Sequence, residues 1–184
     1  IDFLADESTN TELEQEQGIY IQALSANEKG EVKLFRTMHA GELGNPSNVR
    51  DAMIMGVQRV GHGVKLWQDP VALEYARKRN LAIEINLVSN LRLKVVESIE
   101  SHPFLNFYRL GLPISLSTDD EGVFETTMNN ECEQAITHTD IQYSELKQMA
   151  YTSLETAFAD PLLKTQLQNS LDKQFQDFEA QNTQ

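Results

Sequence analysis

The sequence is short of cysteine, of positive charge and of long apolar runs. Its 184 residues include one cysteine, Cys132. A single thiol excludes an internal disulfide framework and any zinc site built from several cysteines, and it fits a reducing compartment. Lys and Arg number 15 against 28 Asp and Glu, for a formal net charge of -13. A chain so acidic lacks the basic face that attracts nucleic acid phosphates. No apolar stretch approaches the ~20 residues of a membrane-spanning helix, and no charged-then-apolar signal segment opens the chain. No nucleic acid partner, no membrane partner and a cytoplasmic location are therefore expected. Internal repeats and low-complexity linkers are also lacking, so residues 1–184 are read as a single domain. The chain opens "IDFLADE" without methionine, as if inside an element; an upstream portion is expected.

Several catalytic signatures are missing too. There is no Gly-x-x-x-x-Gly-Lys-Ser/Thr phosphate loop, no Gly-x-Ser-x-Gly elbow and no His-Glu-x-x-His. The His-x-Glu with Pro-Cys-x-x-Cys set of the cytidine-type deaminases would need more than one cysteine.

What is present is an alternation. Four short apolar runs, Val32 to Met38, Arg59 to Val64, Leu81 to Leu87 and Pro113 to Ser117, have the length and composition of buried strands. "IDFLA" is a truncated fifth candidate. Helix start signals stand between them: Pro46-Ser47, Asp69-Pro70 and Pro103, the last segment closed by Gly111. Ser8 to Gly30 is read as one helix with irregular flanks. After Asp120 come three helical stretches, Val123 to Thr137, Tyr143 to Phe158 and Pro161 to Ala180, with a frayed tail. Strand and helix alternating in units of roughly 25 residues imply right-handed crossovers and a parallel sheet.

Polar residues gather where the apolar runs end. His39 and Glu42 follow the first, His62 lies in "RVGHGV" after the second, Ser89-Asn90 follow the third and Asp119-Asp120 the fourth. In a parallel sheet the C-terminal ends of successive strands open on one pocket. Each residue also has an ordinary explanation. His39 could be a hydrogen-bonded strand-end residue, Glu42 could serve the next helix, the Gly61-His62-Gly63 triplet could be a tight turn, and Asp119-Asp120 a turn with a helix cap. Their recurrence at consecutive strand ends favours function. His102 before Pro103, and His138 in a polar stretch, fall outside the pattern and are read as structural or solvent-facing. Trp67, Phe104, Phe107 and Tyr108 suit helix packing better than base stacking.

"MHAGE", "RVGHGV" and "LSTDDEGVF", in this order and spacing, resemble the adenosine deaminase family of metal-dependent aminohydrolases. "IDFLADE" is similar to that family's Asp-Leu-Ala-Gly-Asp-Glu segment, and the likeness runs from residue 1 to about residue 160. It implies an α/β fold, the C-terminal portion of a (β/α)8 TIM-type barrel with four to five parallel strands, followed by C-terminal helices. It also implies zinc-dependent hydrolytic deamination of adenosine or deoxyadenosine to inosine and ammonia. In that scheme His39 and Asp119 are zinc ligands, Glu42 protonates the purine at N1, and His62 holds and polarises the water bound at zinc. Asp120 bonds the purine at N7, and Gly41 and Ala5 contact the substrate. Such chemistry is physically coherent. A divalent ion lowers the pKa of its water from ~15.7 to about 7, and a carboxylic acid of raised pKa supplies the ring proton.

Three departures bear on the expectation. The family's first-strand His-x-His pair occurs nowhere in the chain, which leaves two of four protein ligands and predicts weak zinc binding. Ala5 replaces a glycine. Asn86-Leu87 stand where many members have Cys-Pro. Adenine or a modified adenine nucleoside is accordingly an alternative substrate. A non-catalytic half barrel, awaiting the missing N-terminal half as its partner, is the alternative of another class.

Overall fold

The structure is a computed structural model that describes residues 34–182 together with 18, 21–22 and 25–30. Ala5 and the strand expected over "IDFLA" lie outside the described residues. Most of the helix expected from Ser8 to Gly30 does too, although 18, 21–22 and 25–28 are helical.

Four strands form the sheet: β1 (Thr37–Ala40), β2 (Arg59–His62), β3 (Ala82–Ile85) and β4 (Ile114–Leu116). All neighbours are parallel and the spatial order is the chain order, β1-β2-β3-β4. A doubly wound sheet would reverse its order at a switch point; sequential order is the wall of a barrel. The strands are buried almost throughout, which is why they appear as continuous apolar runs and not as alternating ones.

Helix α1 (Ser47–Ile54) joins β1 to β2, and α2 (Pro70–Arg79) joins β2 to β3 after a 3-10 helix over Val64–Gln68. The start of α2 is encoded locally. Asp69 accepts hydrogen bonds from the backbone N–H of Val71 and Ala72, Pro70 occupies the first helical position, and Asn80 ends the helix in a left-handed conformation. Two short helices, α3 (Leu87–Arg92) and α4 (Phe104–Arg109), lie between β3 and β4. Gly111, at φ 87°, closes α4 as expected.

Three readings are corrected. Val123 to Thr137 is not one helix but two, α5 (Glu121–Phe124) and α6 (Met128–His138). Glu125 at φ 47° breaks the first, and Thr127 restarts the second by accepting from the Asn130 N–H. Leu87, read as the end of a strand, instead begins α3. The tail does not fray: α7 (Tyr143–Thr156) is followed by α8 (Pro161–Asn182), which is helical to Asn182. Tyr143 stacks on Phe178, and the Tyr151 hydroxyl donates to Asp172 at 2.7 Å. Ring contacts of that kind hold the last turns against α7.

Met38, Val60, Ile83, Ile85 and Ile114 from the sheet are fully buried with Val49, Leu66, Phe104 and Phe107. Burial of each such side chain is worth about 1.5–3 kcal/mol. The opposite ends of the strands are polar. At the N-terminal end Arg59 lies over the Phe158 ring, 4.4 Å from its centroid, and 3.3 Å from Glu84. The other end carries the histidines.

Candidate active site

The parallel register sets His39 beside Gly61 and Ala40 beside His62. A Cβ added at Gly61 would lie in ordinary van der Waals contact with the His39 ring, at 3.5 Å. The two imidazoles approach with centroids 5.0 Å apart. Gly41 then turns the chain at φ 73°, in a space where an added Cβ would come within 2.6 Å of Val49 Cγ2. Past that turn Glu42, largely buried, reaches 3.4 Å from His62 Nδ1.

Asp119 closes the group from β4. Its Oδ2 stands 3.9 Å from His62 Nε2 and accepts a 2.7 Å hydrogen bond from Ser89 Oγ. His62 and Asp119 both have positive φ, 65° and 57°. Left-handed backbone at residues other than glycine is uncommon and gathers at functional sites. Asp120 is exposed at the start of α5, and its side chain caps no backbone group there. It occupies the N-cap position as the ordinary reading has it, its carbonyl accepting from the Val123 and Phe124 N–H, but its carboxyl takes no part in the cap.

His39, His62 and Asp119 each offer a ligand atom, and these atoms lie within 4.8 Å of one another. Imidazole nitrogen and carboxylate oxygen are a donor set that suits zinc. His62 is 1% exposed. Burial, reinforced by the neighbouring His39 and opposed by Asp119, lowers its pKa to about 4, so the ring is neutral near pH 7.

Behind these residues lies a layer of which the pattern at the strand ends picks out only Asn90. Asn86 Nδ2 and Asn90 Nδ2 each stand 3.0 Å from His62 Nδ1, and His102 Nε2 is 3.1 Å from Asn90 Oδ1. His102, set aside as structural or solvent-facing, is buried and belongs to this layer. The available signal was "INLVSN", three amide or hydroxyl side chains among Ile85, Leu87 and Val88. His138 is unconnected to it, on the surface, 2.7 Å from Glu100. Trp67 meets Phe107 edge-on at 5.8 Å, as helix packing requires.

The chain is similar to known proteins over most of its length. The family model described as "Adenosine deaminase" matches residues 6–174. The chain belongs to the adenosine deaminase family. An adenosine deaminase of Shewanella halifaxensis is 39% identical over 132 residues, which are 71% of this chain and 40% of that protein. The adenine deaminase of Arthrobacter aurescens superposes with a TM-score of 0.85 at 23% identity, over 96% of this chain and 52% of its own. A zinc-bound amidohydrolase from Burkhoderia ambifaria superposes at 0.79 and 23% identity, over 98% and 48%. The chain thus spans about two fifths to one half of the length of these proteins. Its four strands and helices are a partial (β/α)8 barrel with C-terminal helices. No helix among the described residues is long and apolar enough to cross a membrane.

Proposed function

We propose that the protein carrying this chain hydrolyses the amino group from C6 of adenosine or deoxyadenosine, giving inosine or deoxyinosine and ammonia. The observation that carries this reading is the convergence of His39, Glu42, His62 and Asp119 at the C-terminal ends of three strands in a member of this family. His39 and Asp119 would hold a zinc ion, which when bound makes hydroxide available at neutral pH. Glu42 gives its proton to N1 of the ring, so that electron density arriving at C6 has a place to go. His62 orients the attacking water and Asp119 the opposite side of the same site. Asp120, exposed and with its side chain engaged in no helix cap, donates as the carboxylic acid to the lone pair of purine N7. Gly41 lets the chain lie close to the ring, and Ala5 contributes a backbone contact. Water bonds to C6 through its oxygen, one of its protons replacing the one Glu42 gave to N1; the other passes to the amino group, the C6–N bond breaks, and ammonia leaves a C6 carbonyl with hydrogen on N1.

Release of ammonia, followed with adenosine, deoxyadenosine, adenine and N6-methylated nucleosides in the presence of zinc, tests the reading on the intact protein. Turnover of adenosine is expected. Turnover of adenine alone would move the substrate while keeping the chemistry, and no turnover of any aminopurine would refute the proposal.

A further inference from the structure

Four hydrogen bonds in the core have a polarity that can be followed from one fixed end. The backbone N–H of Phe104 donates to His102 Nδ1 at 3.1 Å. A backbone amide can only donate, so Nδ1 of His102 holds a lone pair and the ring's proton sits on Nε2. Nε2 is 3.1 Å from Asn90 Oδ1 and donates to it. With its oxygen engaged, Asn90 turns its Nδ2 to His62 Nδ1 at 3.0 Å. That donor leaves His62 with a bare Nδ1 and a proton on Nε2, 3.9 Å from Asp119 Oδ2. Asn86 Nδ2 is also 3.0 Å from Nδ1, but no hydrogen bond to its Oδ1 anchors that amide as His102 anchors Asn90; Glu42 Oε1, 3.4 Å from the same nitrogen, agrees with a bare Nδ1 as the carboxylic acid its proposed role requires, donating to the lone pair. Asn90 is fully buried, and His62 and His102 are 1% and 4% exposed; no solvent competes for these bonds, and an unpaired donor or acceptor there is costly.

We propose that Asn90 and His102 are positioning residues that fix the tautomer of His62, making it a hydrogen-bond donor at Nε2 and not a metal ligand. A neutral imidazole ligates through a nitrogen without hydrogen, and here the nitrogen facing the pocket carries it. His62 thus stands in the three-residue cluster as the group that directs a proton toward an oxygen, while His39 and Asp119 are left for an ion. The tautomer follows from the relay alone; its value for turnover rests on the proposed deamination.

Ring nitrogen shifts of histidine, measured by NMR on the 15N-histidine-labelled intact protein with and without zinc, test it. The His62 signals are assigned by their loss in His62→Gln. The expected spectrum has the His62 proton on Nε2 in both conditions; a proton on Nδ1 in either would overturn the proposal. Asn90→Asp can only accept, so it should transfer the proton to Nδ1 and lower kcat at least tenfold with KM changed less than about twofold. Should Asn90→Asp not fold, a second pair of variants decides. His102→Gln keeps an acceptor for Phe104 and a donor for Asn90 and should preserve the tautomer. His102→Leu should give a mixture, and a pure Nε2 tautomer in it would sink the relay. If no aminopurine is turned over, the functional reading fails while the spectrum still decides the tautomer.

Discussion

Glu42 sits a short turn past His39 because Gly41 alone can take the conformation between them, with Val49 filling the place of a side chain. The carboxyl and the two imidazoles then share one small volume. If Glu42 supplies the ring proton, Glu42→Gln should lower kcat by about 10²–10⁴ while zinc content stays the same; steady-state kinetics beside metal analysis checks both halves. A second expectation concerns acid. Burial, with the nearby His62 adding to it, holds His102 at about 3, whereas an unfolded histidine titrates near 6.5. On acidification the unfolded chain takes up this proton first. The contribution of His102 to stability is therefore complete above about pH 6.5 and is lost as the pH falls toward 3. His62, lowered to about 4, acts in the same direction. Denaturant midpoints at pH 7 and pH 5 should draw apart less in His102→Gln than in the unaltered protein. An equal separation would remove His102 from this account.

At the scale of elements, helix α3 shows what neighbouring sequence does not encode. Its first two amides, those of Leu87 and Val88, are taken by the carboxylate of Glu131, at 2.8 and 3.3 Å, and Thr126 donates to the same carboxylate. Glu131 belongs to α6, far along the chain, and is fully buried. Burial raises its pKa against the pull of these three hydrogen bonds. Glu131→Ala should cost about 2–3 kcal/mol by stranding the amides, read as a shift in denaturant midpoint. It should also disturb Ser89 and Asn90, which ride on α3 behind the site. The distant cap explains why Leu87 reads from the sequence as the end of a strand and not as the start of a helix, whereas α2, with Asp69, Pro70 and Asn80 all local, is legible in advance. The four strands and the grouping of His39, Glu42, His62 and Asp119 were legible for the same reason: apolar runs and their polar ends lie within single windows of sequence. The break at Glu125 and the role of His102 were not, since each depends on partners that only the folded chain brings together.

At the scale of the whole molecule, the proposed assignment leaves the group gathered at the strand ends incomplete as a metal site. Within the 184 residues, His39 and Asp119 are the ligands that the proposed assignment supplies, and two protein ligands hold zinc weakly. The isolated chain should therefore lose zinc on dialysis against a mild chelator. The intact protein should retain it, and elemental analysis of the two side by side compares them. Stoichiometric zinc in the isolated chain would show that its own residues complete the site. The order of the sheet has a different kind of consequence. Each strand lies against the one made just before it, so its pairing partner is already outside the ribosome when it emerges. Parallel sheets are slow to assemble when distant segments must find one another. Here the wall can be laid down in the order of translation, one strand and its helix at a time, and the histidines of β1 and β2 are in place before the aspartate that completes the group has been synthesised.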